Sequence, residues 1–123
     1  MAWNNLLGKW GETVARELLI AAGYAIIDCN WRSGHYELDI IAQNGNRIVF
    51  VEVKSRSDIN DDPRQAMTRD KQLRTIRAAN TYMKAFNITL EPQFDFIGIA
   101  GTEDNYRIEH VQDAFFPSVR TYK

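Results

Sequence analysis

Apolar residues recur at helical spacing between Leu7 and Ala22, where Val14, Leu18 and Ala21 join Ala15, Leu19 and Ala22 in one broad stripe. Gly23 stands where a helix C-cap would. Tyr24 to Trp31 is apolar and rich in β-formers, and Arg32-Ser33-Gly34 supplies a turn. Tyr36 to Gln43 alternates with a period of two. Asn44-Gly45-Asn46 is a hairpin signal, and Arg47 to Ser55 follows as a third strand. Past the polar loop Ser57 to Asp62, Asp62 suits an N-cap and Pro63 the first helical position. A second helix then runs to about Phe86, with Leu73, Ile76, Ala79 and Met83 inward. Pro92 breaks the chain, Phe94 to Ala100 reads as strand four, and Tyr106 to His110 as strand five. The second helix is long enough for a parallel crossover between strands three and four. The pattern predicts one α/β domain over residues 1–123, a mixed sheet flanked by helices.

Composition narrows the class. The chain has 123 residues, 45% hydrophobic and 25% charged, with net charge −1, which excludes a strongly basic or disordered binder. Cys29 is the single cysteine, so no internal disulfide forms; a small inert hydrophobe in a reducing cytoplasm is the expectation. No signal peptide and no membrane-length apolar run is read. The expected setting is cytoplasmic, without membrane contact.

Charge interrupts the pattern in one place. In Phe50-Val51-Glu52-Val53-Lys54-Ser55-Arg56, Glu52 and Lys54 share a face with Ile48 and Phe50. On the preceding strand, strict alternation puts Glu37, Asp39 and Ile41 on one face, and Tyr36, Leu38, Ile40 and Ala42 on the other. If the faces of the two hairpin strands correspond, Asp39 lies near Glu52, within about one pair step, as the register decides. Two neighbouring carboxylates repel unless a cation sits between them. Oxygen donors suit Mg2+ or Mn2+. A metal there with Lys54 beside it makes a workable phosphodiester hydrolase site. Glu12, on the edge of the first helix's apolar stripe, is a third candidate ligand; Glu37 is a weaker one. The alternative is a solvated strand face, its ion pair worth under about 1 kcal/mol. Against that, Glu52 rises from an apolar surface, a costly place without a partner. Spacing alone leaves both readings open.

The second helix carries Arg64, Arg69, Lys71, Arg74, Arg77 and Lys84, with Asp70 its only acid. Such clustering is either a polyanion contact or a solvated face. Arg56, Arg64, Arg69, Lys71 and Arg74 are the candidate nucleic-acid contacts, with Lys71 and Gln65 able to reach toward the acids. Other residues carry weaker signals. Asp95 is expected to anchor a helix arginine rather than a metal. His35 reads as an exposed turn residue and His110 has no sequence partner. Trp3, Trp10 and Trp31 read as core or groove residues before base-stacking ones.

Gly11-Glu12, Gly23-Tyr24, Asn30-Trp31-Arg32, the block Glu37 to Ala42, the block Phe50 to Arg56, Lys71 and Phe94-Asp95 together resemble the YraN-like family of small bacterial proteins. That family is similar to a branch of the PD-(D/E)xK nuclease superfamily, near archaeal Holliday junction resolvases. The resemblance spans about residues 8–115. It implies a restriction-endonuclease-like core, α-β-β-β-α-β. By it, Asp39 matches the superfamily's first acid, Glu52 with Lys54 its (D/E)xK, and Glu12 the helix-borne acid of the resolvase branch. Leu38 stands where the motif proline would, and Gln93 where the family has arginine before Phe94-Asp95.

The function expected is a divalent-metal-dependent endonuclease on branched or structured DNA. Asp39, Glu52 and Glu12 would be its ligands and Lys54 would support the nucleophile. The alternative is a non-catalytic nucleic-acid-binding accessory protein that keeps the nuclease fold. A protein-interaction domain is a third reading. A homodimer would suit a substrate with two scissile strands.

Overall fold

The computed structural model describes residues 2–117, with side chains from Leu7 onward. Helix α1 (Ala2–Ala21) leads into strands β1 (Ala25–Ser33), β2 (Tyr36–Asn44) and β3 (Arg47–Arg56). A 3-10 turn (Pro63–Ala66) and helix α2 (Arg69–Ala85) lead on to β4 (Glu91–Thr102) and β5 (Asn105–Val111). The sheet order is β1-β2-β3-β4-β5, with every pair antiparallel except β3 and β4. The parallel pair is closed by the α2 crossover, and the expected α-β-β-β-α-β core with a mixed sheet is present. Among the described residues no helix is long and apolar enough to cross a membrane. Trp3 lies outside the described side chains.

Each helix covers one face of the sheet. Ala15 and Leu19 of α1 pack on Ile40, Ala42, Val49, Val51, Ile97 and Ile99. Ala78, Ala79 and Tyr82 of α2 pack on Leu38, Ile41, Ile48, Phe50 and Phe94. Both inward stripes are narrower than the periodicity predicts. Ala21 and Ala22 are exposed, and α2 buries Thr75, Ala78, Ala79 and Tyr82 while Leu73 is only half-buried. Small residues at 78 and 79 let the helix axis approach the sheet, with Tyr82 filling the remaining space.

Two boundaries differ from the sequence reading. The predicted continuous helix from Pro63 is two elements. Asp62 caps the 3-10 turn, Met67 leaves helical geometry, and Thr68 caps α2, its hydroxyl accepting from Lys71 N–H at 3.3 Å. Two capping residues with their own turns outcompete one uninterrupted helix. Pro92 does not break the chain but lies inside β4, opposite Ile48. β5 pairs only from Phe96 onward, so at Pro92 the strand has one partner and an N–H is dispensable on the open side.

Asp95 is wholly buried, and its partners are not helix arginines. It accepts hydrogen bonds from Tyr24 Oη (2.9 Å), Gln93 Nε2 (2.9 Å) and the backbone N–H of Asp113 (3.1 Å), and lies 2.8 Å from His110 Nε2. Burial works against its charge. The His110, Gln93, Tyr24 and Asp113 donors outweigh burial and hold its pKa below the ordinary carboxylate value. The Tyr24 hydroxyl is pushed up to about 12, by burial and then by Asp95. Gln93 donates to Asp95 and accepts from Arg47 Nη1 at 3.4 Å, which brings the β3 guanidinium to the edge of this network.

Gly11 sets the height of α1 above the sheet. A Cβ there would collide with Ser55 Oγ and stand 3.3 Å from Ser55 Cβ. Gly11→Ala is therefore expected to destabilise the chain by about 1–3 kcal/mol through overpacking. Adding Ser55→Ala to that variant should recover most of the loss in chemical denaturation; equal stability of wild type and Gly11→Ala would contradict the close approach.

Candidate active site

The β2–β3 ladder runs from the turn at Gly45-Asn46 to the pair Ile40–Val51 and stops there. Beyond it the strands separate, and the side chain of Asp39 bridges the fork. Its Oδ2 accepts the Val53 backbone N–H at 2.9 Å, a donor the ladder no longer uses. Strict alternation fails at the same place. Leu38 packs in the α2 layer and Ile40 in the α1 layer, although two-residue spacing puts them on one face. Across the ladder, Trp31 and Cys29 split between the layers in the same way. Between them Asn30 has φ 54°, a left-handed conformation that asparagine tolerates better than most residues. The switch at Asn30 and Asp39 is the physical reason the expected face assignment does not hold.

Glu52 is buried at the fork, opposite Phe96 of β4. The two acids feel each other. Asp39 is pushed up to about 7, first by burial and then by the Glu52 charge, with a smaller push from Glu12. Glu52 is raised as well, by burial, against the pull of Lys71. Lys71 Nζ lies 3.1 Å from Glu52 Oε2 and is the cation that reaches the pair from α2.

Glu12 stands off from this pair. Its Oε1 accepts from Asn30 Nδ2 at 2.9 Å. Among the described residues no three Asp, Glu, His or Cys side chains gather in metal-ligating geometry. Two carboxylates do meet, and their donor chemistry fits a hard divalent cation that keeps waters or phosphate oxygens in its other positions.

Two clefts flank the acids. One, of about 410 Å³, is lined by Glu12, Val53, Lys54, Ser55 and Arg56 beneath the start of α1. The other, of about 170 Å³, is lined by His35, Tyr36, Glu37, Lys71, Arg74 and Thr75. The first contains Val53, which holds Asp39, and the second contains Lys71, which holds Glu52. Neither of these two acids lines a cleft itself, but each is bonded to a residue that does, and both clefts contain a lysine and an arginine. Arg64 is elsewhere, in the 3-10 turn, paired with Asp62 at 3.3 Å and Glu109 at 3.5 Å. Arg69 turns back on Gln72 along its own helix, and Glu37 pairs with Arg32. His35 stacks at a tilt on Tyr36. The sequence reading missed Asn30 as a site residue; it brought Lys71 toward the acids without naming Glu52 as its partner. An asparagine opposite the first acid in a β-run was the available signal for Asn30.

The raised acids set a pH dependence. Asp39 ionises near 3.8 when unfolded and near 7 when folded, so the folded chain binds this proton more tightly. The metal-free protein is expected to lose stability as pH rises from about 4 to about 7 and to change little above that. Asp39→Asn should flatten most of the decline in denaturation curves taken across that range; an unchanged slope would contradict the buried, repelled carboxyl.

The model of the uncharacterised protein family UPF0102 matches residues 11–99, a span that includes Glu12, Asp39 and Glu52, the cleft beside Lys71 and most of β4. A UPF0102 protein of Bacteroides thetaiotaomicron is 47% identical over 118 residues, covering 95% of this chain and 98% of its own. One from Parabacteroides distasonis is 40% identical over 121 residues (98% and 100%), and one from Flavobacterium psychrophilum 38% over 117 residues (94% and 98%). With matches of this identity along almost its whole length, the chain belongs to the UPF0102 family, the one its YraN-like motifs point to.

Proposed function

We propose that the chain is a divalent-metal-dependent endonuclease that hydrolyses phosphodiester bonds in branched or structured DNA. The observation that carries this reading is the meeting of Asp39 and Glu52 at the β2–β3 fork. There burial first, and the charge of the buried Glu52 second, lift the half-buried Asp39 to about 7. A fold gains nothing in stability from such a pair, and a cation between them relieves it.

A magnesium or manganese ion held by Asp39 and Glu52 would polarise a phosphate oxygen and acidify a bound water. The protein's own contribution is positioning. The Val53 N–H fixes one Asp39 oxygen, so the carboxyl keeps its direction. Glu12, tethered to Asn30, adds negative charge from the α1 side within reach of Asp39's field. Lys54 lines the same cleft as Glu12 and supplies an ammonium for charge developing on phosphorus-bound oxygen. Arg56 at one cleft and Arg74 at the other can hold backbone phosphates on either side of the scissile bond.

Cleavage of junction, flap, single-stranded and duplex DNA with Mg2+ or Mn2+ tests the reading. Activity is expected in wild type and a loss of at least about 100-fold in Asp39→Asn and Lys54→Ala. Equal residual cleavage in all three would remove the assignment. Salt-sensitive DNA binding with no metal-dependent cleavage would instead assign the accessory role. The clefts also rank the cations. Arg56→Ala and Arg74→Ala should each weaken DNA binding and reduce the salt slope by about 1, whereas Arg64→Ala should leave both near wild type.

A further inference from the structure

The Lys71–Glu52 pair is unusual on three counts. Lys71 sits in the first turn of α2, where the exposed N–H groups and the helix dipole disfavour a cation. Its backbone is pinned by the Thr68 cap, so only the side chain can move. Its side chain is 45% exposed although its partner carboxyl is 9% exposed, so a mobile, solvated ammonium neutralises a group that is not. A lysine suits this better than an arginine. It is a point charge on a flexible stem and makes no rigid two-pronged bond that must be broken to leave.

We infer that Lys71 is a displaceable counter-ion, whose ammonium holds the cation's place on Glu52 and moves into the α2 cleft when metal and a nucleic-acid strand arrive. The inference rests on the metal-dependent reading above. The destination is adjacent. Lys71 lines the cleft of about 170 Å³ together with Arg74, three residues on along the same helix face. An ammonium leaving Glu52 there joins Arg74 at a phosphate rather than losing its charge partner altogether. The acids are thus never without a cation, and metal entry and strand binding favour one another.

The direct test is Mn2+ titration of the full chain, reading free ion by electron paramagnetic resonance. Lys71→Met should tighten Mn2+ binding by at least about ten-fold, because the ion no longer competes with an ammonium for a buried carboxylate. Arg74→Met removes a charge from the same cleft without touching Glu52, and should change affinity less than about two-fold. Unchanged or weaker binding in Lys71→Met, or equal tightening in Arg74→Met, overturns the counter-ion. Lys71→Gln serves as the second variant if Lys71→Met fails to fold, with the same expectation. For the second half, DNA binding followed by fluorescence anisotropy with and without Ca2+ should show a larger metal-induced gain in wild type than in Lys71→Met; equal gains overturn it. Absence of Mn2+ binding in every variant removes the metal site itself. Loss of binding confined to Asp39→Asn and Glu52→Gln, with Lys71→Met unchanged, removes only the role of Lys71.

Discussion

One hydrogen bond organises the centre of this molecule. Where the β2–β3 ladder ends, the Val53 N–H would face a gap, and Asp39 fills it with a carboxylate oxygen. An unpaired buried N–H costs as much as a lost hydrogen bond, so the fork can open only because an acceptor is supplied from the departing strand. The same bond points the carboxyl at Glu52. Strand separation, acid placement and acid repulsion are therefore one arrangement, and the Asn30 conformation opposite it belongs to the same local twist.

Much of this was readable in advance, and the rest was not for identifiable reasons. The Asn44-Gly45-Asn46 turn and the alternation from Arg47 to Ser55 placed Asp39 and Glu52 on neighbouring strands. The length of the segment between β3 and β4 called for a parallel crossover. Alternation could not show the layer switch, because a period of two assumes uniform extended backbone and Asn30 departs from it. Helical periodicity could not show that Arg64 sits in a separate turn, since Asp62-Pro63 and Thr68 are both sound helix starts. Most partners of Asp95 were hidden because they come from two distant parts of the chain: Tyr24, and the stretch with His110 and Asp113. Long-range polar satisfaction leaves no local pattern to read.

The structure holds two aspartates, Asp95 buried and Asp39 half-buried, in opposite electrostatic conditions. Asp95 is surrounded by donors and stays charged, a saturated node that ties β4 to the residue before β1, to β5 and to the segment after it. Asp39 has one backbone donor, an acidic neighbour and a raised pKa. Asp95 is the more deeply buried of the two and yet is the one held charged, so burial alone does not decide which carboxyl is raised. The difference is whether the neighbours compensate the charge, which is why perturbed acids mark candidate chemistry.

The contact between Gly11 and Ser55 carries a separate consequence for how such a pocket diverges. The breadth of the groove under α1 is gauged by a bare backbone resting on a hydroxyl, neither of them charged. Groove width and acid chemistry are thus governed by different residues. A lineage could widen or narrow the groove by altering that spacer, while the carboxyls at the fork stayed where they are.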